Sequence, residues 1–182
     1  MRPDGRKNNE IRPVKIQRNF LETAEGSVLI SMGNTRVICT ASIEDRVPPF
    51  LKDQKRGWIT AEYSMLPRAT HSRTMRESIS GKVSGRTHEI QRLIGRSLRT
   101  VTDLTRIPGL SVAVDCDVLN ADGGTRTASI TGASIALQLA FDRLVRDGRI
   151  ESSPMISKMA AISVGSVNGQ LLLDLDYSED SK

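Results

Sequence analysis

Short runs along the chain alternate apolar and polar residues, which is the pattern of half-buried β-strands. Two of these runs lie on either side of Gly33-Asn34, a pair suited to a tight turn. The pattern therefore predicts a hairpin of residues 28–32 with residues 36–43. A further strand is predicted over residues 58–65.

The same alternation continues in the second half of the chain. Residues 111–119 place four apolar side chains on one face and Asp115 and Asp117 on the other, which predicts a half-buried strand. Residues 160–167 and 171–177 flank Asn168-Gly169 and predict a second hairpin.

Two longer segments have the apolar spacing of amphipathic helices. The first begins near Arg86 and ends before Pro108-Gly109. The second begins near Thr127 and stops around Gly148, and its many small residues suit close packing against a sheet. The chain is long enough for one core, or for one core that a smaller subdomain shares.

Positive charge is concentrated in the middle of the chain. The 182 residues carry a formal net charge of +5, and the sequence pI is about 9.6. Residues 52–99 hold eleven lysines and arginines against four acids. Within them, residues 66–85 have almost no apolar periodicity and predict a long, mobile basic loop, either solvated surface or a contact for phosphate backbones.

This charge favours a polyanionic partner. Aromatic residues make up only 3% of the chain, so base stacking is a poor candidate for the main grip on a nucleic acid. Backbone electrostatics would have to supply that grip.

Cysteine usage and hydropathy indicate a compartment. Cys39 and Cys116 lie inside predicted strands without paired spacing, so neither a disulfide nor a zinc site is expected. No stretch approaches the ~20 apolar residues that span a bilayer. We expect a cytoplasmic protein with no membrane partner.

The run from Gly123 to Ser129 predicts a binding site for an oxyanion, most simply a phosphate. Two glycines let the backbone turn its N–H groups toward one point, the following helix offers free N–H donors, and Arg126 adds a charged fork. Arg86 stands at the start of the other helix, so both helix N-termini could converge on one phosphate. The alternatives are an ordinary tight turn and a solvated charge.

Four carboxylates crowd the end of the chain: Asp174, Asp176, Glu179 and Asp180. Carboxylates near a phosphate site suit a hard divalent ion. Alternation of Leu with Asp is also typical of a half-exposed strand. His71 and His88 are isolated polar positions, for which no catalytic role is expected.

Many colinear motifs resemble the bacterial ribonuclease PH family. They are Met1-Arg-Pro-Asp-Gly-Arg6, Arg12-Pro-Val14, Glu25-Gly-Ser-Val28, Val37-Ile-Cys-Thr-Ala41, Thr60-Ala-Glu-Tyr63, Met65-Leu-Pro-Arg-Ala69, Gly85-Arg86, Ile90-Gln-Arg-Leu-Ile-Gly-Arg96, Val114-Asp-Cys-Asp-Val118, the 123–129 loop and Leu173-Asp-Leu-Asp-Tyr177. The resemblance implies an α+β fold of the ribosomal S5 domain 2-like type, with a mixed sheet packed against helices.

The resemblance also assigns roles to residues. It implies a phosphate site at Arg86, Gly124, Thr125 and Arg126, with Arg86, Arg126 and Asp180 catalytic. RNA binding is expected at Arg68, Arg73, Arg76 and Arg92. Magnesium is expected on Asp180, with Asp174 as a candidate second ligand, and inorganic phosphate is the implied co-substrate.

The implied organisation is a single domain over residues 1–182, with a phosphate-site core at 10–145 and the start of a C-terminal subdomain at 155–182. Family members continue beyond this point with a second active-site aspartate and further strand and helices. Because this chain stops at Lys182, we expect a form shortened at its C-terminus.

The implied activity is phosphate-dependent 3′ to 5′ trimming of tRNA precursors and other RNA 3′ ends, including rRNA, by a hexameric ring built as a trimer of dimers. Nucleoside diphosphates are released, and the reverse reaction adds nucleotides. An RNA-binding ring subunit without activity is the alternative. A small-molecule phosphotransferase is disfavoured because no Walker or dinucleotide-binding pattern is present.

Overall fold

A computed structural model describes residues 2–181. Five strands form one mixed sheet in the order β1-β2-β3-β5-β4, in which β4 and β5 are parallel and the other neighbours antiparallel. The strands are β1 (Val14–Arg18), β2 (Gly26–Met32), β3 (Thr35–Glu44), β4 (Trp58–Met65) and β5 (Ser111–Asn120). A separate antiparallel hairpin consists of β6 (Val164–Val167) and β7 (Gln170–Leu173).

Two long helices cover one face of the sheet. They are α2 (Gly85–Thr100), which packs on β4, and α3 (Thr125–Arg146), which packs on β2 and β3. Two short helices are α1 (Glu77–Ser80) and α4 (Tyr177–Asp180), and 3-10 turns occupy Pro49–Leu51 and Leu104–Arg106. None of the helices described is long and apolar enough to cross a membrane.

The core lies between the sheet and these two helices. Alternate residues of β2, β3, β4 and β5 are buried, as the period of two in their sequences requires. The two long helices complete the core with Ile90, Ile94, Leu98, Leu137, Phe141 and Leu144. Burial of this apolar face is the main driving force for the fold.

The predicted α+β fold, with a mixed sheet packed against helices, is confirmed. The predicted first hairpin, second long helix and strands at 58–65 and 111–119 lie within a few residues of the observed ends. The first long helix begins where predicted but ends at Thr100, well before Pro108, and Leu104 lies in a separate 3-10 turn. Strand β1 was not predicted, because Val14 and Ile16 alternate with polar residues over only five positions. It is an edge strand in which every residue is exposed. Apart from α1, residues 66–84 have no helix or strand.

The predicted second hairpin was too long. Its second strand ends at Leu173, not at residue 177. Asp174 has a φ of 55°, which breaks the extended backbone, and Asp176 then caps α4 through a reciprocal capping box with Glu179. The alternation of Leu with Asp therefore reflects an ion-pair position and a helix cap, not a half-exposed strand.

A substitution at Gly26 tests how closely β2 and α3 pack. A Cβ atom on Gly26 would lie 2.0 Å from the carbonyl oxygen of Ala136 and 2.7 Å from the backbone nitrogen of Ala140. We expect Gly26→Ala to lower the free energy of unfolding by at least about 1–3 kcal/mol, because the backbone of α3 would have to shift to make room for the methyl group. Thermal unfolding should show a Tm lowered by roughly 2–4 °C per kcal/mol.

Gly85→Ala is the matched control for that measurement. Apart from its chain neighbours and the backbone of its own helix, no described atom lies within 4 Å of the Cβ that it would add. Its Tm should stay close to that of the parent chain. Equal Tm values for the two variants would mean that the helix does not lie this close to the strand.

Candidate active site

A cavity of about 590 Å³ opens where the first turns of α2 and α3 meet the end of the chain. Its walls include Arg86 of α2, the 123–126 loop and helix start, and Asp180 of α4. The structure therefore brings the predicted phosphate residues together with the predicted catalytic aspartate. Their convergence is the geometry that the sequence analysis expected for a single anion.

The glycine loop turns as its sequence requires. Gly123 and Gly124 have φ values of 74° and 67°, a region that favours glycine. The first backbone hydrogen bond of α3 runs from Ala128 N to Gly124 O. The N–H groups of Thr125, Arg126 and Thr127 precede it and have no acceptor within the helix, so they can donate to an anion.

Two arginines reach the cavity from different helices. Arg126 is partly exposed, and its Nη1 lies 3.1 Å from Oε1 of Glu89 on α2. Arg86 is exposed, and in the part of the chain that the structure describes no hydrogen bond or ion pair holds its guanidinium. Both cations are therefore accessible to an entering phosphate, for which Glu89 is a competing anion.

Tyr63 of β4 forms a hydrogen bond to the first residue of α3. Its hydroxyl donates to Thr125 Oγ1 over 2.9 Å. Burial raises the pKa of the Tyr63 hydroxyl, although the Thr125 hydrogen bond and the positive charges of Arg86 and Arg126 partly oppose this. The neutral, buried Tyr63 hydroxyl therefore fixes the side chain of Thr125, the first residue of α3, which lines the cavity.

A buried ion pair anchors the glycine loop from behind. Arg12 donates three hydrogen bonds to the Asp174 carboxylate, from its backbone N (2.7 Å), Nε (2.9 Å) and Nη2 (2.6 Å). Asp174 is 0% exposed. The same guanidinium donates to the carbonyl oxygens of Asp122 and Gly123. One arginine thus joins the N-terminal segment, the loop and the C-terminal segment.

The structure corrects the metal role expected of Asp174. Both of its carboxylate oxygens accept hydrogen bonds from Arg12, and it does not line the cavity. Burial opposes its ionisation, but the hydrogen bonds and charge of Arg12 outweigh that cost and lower the pKa of Asp174. Because Asp174 is fully buried and lies off the cavity wall, it is not placed to bind a metal ion there beside Asp180.

Most of the acidic residues near the C-terminal end stabilise the fold and do not face the cavity. Glu179 is buried and accepts hydrogen bonds from Arg2 Nε and Nη2 at 2.8 and 2.7 Å. These hydrogen bonds lower the pKa of Glu179, and burial opposes them only in part. Asp176 caps α4. Among residues 2–181 only Asp180 brings a carboxylate to the cavity wall, and no cluster of three or more potential metal ligands is found there.

The four arginines expected to bind RNA are all exposed, but they do not form one patch at the cavity. Arg68 borders a neighbouring cavity of about 340 Å³, and its Nη1 donates to the backbone oxygen of His71. Arg76 lines a third cavity of about 300 Å³ that shares Arg86 with the main one. Arg73 and Arg92 lie on open surface.

Several site residues were not predicted from the sequence. Tyr63 and Arg12 occur within the family-like motifs, but their spacing carries no sign of a contact with Thr125 or Asp174. Tyr177 and His71 line the cavity and contact each other, yet they are 106 positions apart in the sequence. Only the folded chain shows these pairs.

Comparison with known proteins shows the family and the fold of this chain. A family model described as RNase_PH, 3′ exoribonuclease family, domain 1, matches residues 10–141. A chain of the Archaeoglobus fulgidus exosome with RNA bound to the active site is similar to this chain, with a TM-score of 0.80 and 27% identity over 99% of this chain and 72% of that one.

Two further structures have the same fold. Rrp46 of rice (Oryza sativa) gives a TM-score of 0.79 and 23% identity, and the match covers 100% of this chain and 76% of that one. A chain of an archaeal exosome core gives 0.74 and 25%, covering 99% and 70%. The rice protein, at this identity, supports the fold alone.

The buried ion pairs predict acid sensitivity. The pKa values of Asp174 and Glu179 are lowered in the folded chain, so the stability that they contribute is present above about pH 4, near their unfolded values, and is lost as pH falls through the folded values. Asp174→Asn should cost about 3–5 kcal/mol at pH 7, because it leaves Arg12 buried without its counterion. Urea unfolding at pH 7 and at pH 3–4 measures both effects.

The exposed Glu151 supplies the control as Glu151→Gln, which should leave stability within about 0.5 kcal/mol. Asp174→Asn should also reduce the loss of stability on acidification. An unchanged loss would show that this carboxylate does not account for the acid sensitivity.

Proposed function

This chain belongs to the 3′ exoribonuclease family, and we propose that it is a phosphate-dependent 3′ to 5′ exoribonuclease of the ribonuclease PH type. It shortens tRNA precursors and other RNA 3′ ends by one nucleotide at a time and releases nucleoside diphosphates. The observation that carries the proposal is the meeting of Arg86, Arg126 and the Gly123-Gly124 loop in one cavity. This site can hold inorganic phosphate as the attacking group beside the scissile phosphodiester.

The reaction is an in-line exchange at phosphorus. An oxygen of inorganic phosphate forms a bond to the phosphorus of the terminal nucleotide, and the bond from that phosphorus to the 3′ oxygen of the preceding nucleotide breaks. The leaving oxygen takes up the proton carried by the phosphate. One phosphate ester is exchanged for an anhydride with little net change in bonding, so the reverse reaction adds nucleotides from diphosphates.

The protein's main task is to hold two anions together. Arg86, Arg126 and the N–H groups at the start of α3 oppose the repulsion between the attacking phosphate and the scissile phosphodiester. Arginine suits this task because its planar fork binds two phosphate oxygens at once and stays charged. Tyr63 keeps Thr125 in place without adding negative charge.

Magnesium is proposed as the metal, with Asp180 as its ligand in the described chain. Mg²⁺ is often bound by one or two carboxylates together with water and substrate phosphates, so one aspartate beside a phosphate cradle fits this ion. When bound it would offset negative charge on the scissile phosphate and the leaving oxygen. Asp174 is not part of this metal proposal, because it is paired with Arg12 and does not line the cavity.

RNA reaches this cavity, in our proposal, across the basic surface around it. Arg68 and Arg76 border the two neighbouring cavities, and Arg73 and Arg92 add positive charge further out. The similar Archaeoglobus fulgidus structure has RNA bound to its active site, which supports an RNA substrate. We further propose a homohexameric ring, a trimer of dimers, that acts in the cytoplasm.

A ring subunit that binds RNA without catalysis is the second candidate. Two observations favour it. Asp180 is the only carboxylate that the described residues bring to the cavity, and similar structures include chains of exosome assemblies. Intact Arg86 and Arg126 favour the active enzyme, because RNA binding alone does not require a phosphate cradle.

The direct test uses this polypeptide, magnesium and a tRNA with a labelled 3′ extension, with and without inorganic phosphate. We expect nucleoside diphosphates only when phosphate is present. Monophosphates would instead indicate hydrolysis and overturn the phosphorolytic proposal. Bound but unshortened RNA would favour the non-catalytic candidate.

Substitution of Arg86 separates chemistry from RNA binding. Arg86→Ala should lower phosphate-dependent turnover by roughly 10²- to 10³-fold, as expected when one donor to the reacting anion is lost. RNA affinity, measured by fluorescence anisotropy, should change little. Arg46→Ala is the control, because Arg46 is exposed, pairs only with Glu44 among the described residues and lies outside the cavity. Parallel losses of turnover and affinity would make Arg86 an RNA-gripping or folding residue.

A further inference from the structure

Two aromatic side chains line the cavity together with the phosphate residues. The rings of His71 and Tyr177 lie 5.6 Å apart between centroids, with their planes inclined at 56°. Both residues line the same cavity as the phosphate residues. The chain has only one tryptophan, two tyrosines and three phenylalanines, so an aromatic pair at this place is unusual for its composition.

Tyr177 is held in position but its ring is left open. Its backbone N donates to Asp122 Oδ1 over 3.3 Å, directly beside the glycine loop. A Cβ atom on Gly123 would lie 2.5 Å from the Leu175 oxygen, so the loop and the segment that leads into Tyr177 are in close contact. The side chain is nevertheless 51% exposed, although an apolar ring gains from burial.

His71 reaches the same point from the other side. It belongs to the basic 66–85 loop, and its backbone oxygen accepts a hydrogen bond of 2.9 Å from Arg68 Nη1. It lines both the main cavity and the neighbouring cavity beside Arg68. The aromatic pair therefore stands between a basic surface and the phosphate cradle.

A cavity lined by both cationic and aromatic side chains matches one kind of ligand, a nucleotide, which joins a phosphate to a flat, largely apolar base. We propose that Tyr177, with His71 at its edge, is the stacking site for the base of the 3′-terminal nucleotide. This inference rests on the proposed function. It adds a base-recognition site to a chain whose wider grip on RNA is electrostatic.

Stacking on a ring face is tolerant of base identity, because every base has a π-face. The planes of the two rings are inclined and do not form a closed slot, and within the described residues the Tyr177 hydroxyl makes no hydrogen bond. We therefore expect recognition that any terminal base satisfies. That is what an enzyme removing successive nucleotides requires.

The test combines variants of the chain with a change in the RNA. An oligonucleotide with an ordinary 3′-terminal nucleotide is compared with one whose terminal nucleotide lacks its base. Equilibrium binding is measured by fluorescence anisotropy, with KM values for RNA and for phosphate where turnover occurs. The parent chain should bind the abasic RNA roughly 5- to 150-fold more weakly, the span typical of one stacked base.

Tyr177→Ala should weaken binding of the ordinary RNA by a similar factor and should have little further effect on the abasic RNA. Tyr177→Phe keeps the ring and should restore most of the loss. His71→Ala, a substitution in an exposed loop, should give a smaller loss that also depends on the base. The KM for phosphate should be unaffected by the ring substitutions.

Phe50→Ala is the matched control, because Phe50 is also an exposed aromatic residue in a ring pair. Neither Phe50 nor its partner Trp58 lines the cavity. An equal effect of Tyr177→Ala on both RNAs would overturn the inference, because the ring would then support only the fold of α4. Base-dependent binding without phosphate-dependent release would instead retain the stacking site and reject the proposed catalysis.

Discussion

The buried contact between Arg12 and Asp174 is the interaction on which the site depends. It joins residues 162 positions apart, and the same guanidinium reaches the carbonyl oxygens of the glycine loop. A buried ion pair adds little net stability against an apolar alternative, but it fixes geometry. Here the fixed geometry is the position of the glycine loop between the N-terminal and C-terminal segments.

The sheet supplies the second constraint. Because β4 and β5 are parallel neighbours and each leads toward a following helix, α2 and α3 lie on one face with their first turns close together. Glu89 and Arg126 join these turns directly. Two helix N-termini then add their partial positive charges at one point, which lowers the cost of binding an anion between two cationic side chains.

Carboxylates near the cavity divide by their partners. Those bonded to arginine or to a helix N-terminus stabilise the C-terminal segment, and among the described residues only Asp180 stays available at the cavity wall. The aromatic residues divide in a similar way. Trp58 is covered by Phe50 and Arg99, whereas Tyr177 keeps an open ring beside His71. Availability, and not residue type, distinguishes the groups that face a ligand from those that hold the fold.

Local signals in the sequence determined most of the helices and strands and the backbone turn at the predicted phosphate site. Apolar alternation and helical stripes indicate which faces are buried, and the Gly-Asn, Asn-Gly and Gly-Gly pairs indicate turns. Strand β1 was not predicted, because its alternation covers only five residues and all of them are exposed. Whether Asp174 meets a metal or an arginine, and whether Tyr177 meets His71, was decided only by tertiary packing. Contacts between residues more than 100 positions apart depend on how elements stack, and spacing along one chain does not encode that stacking.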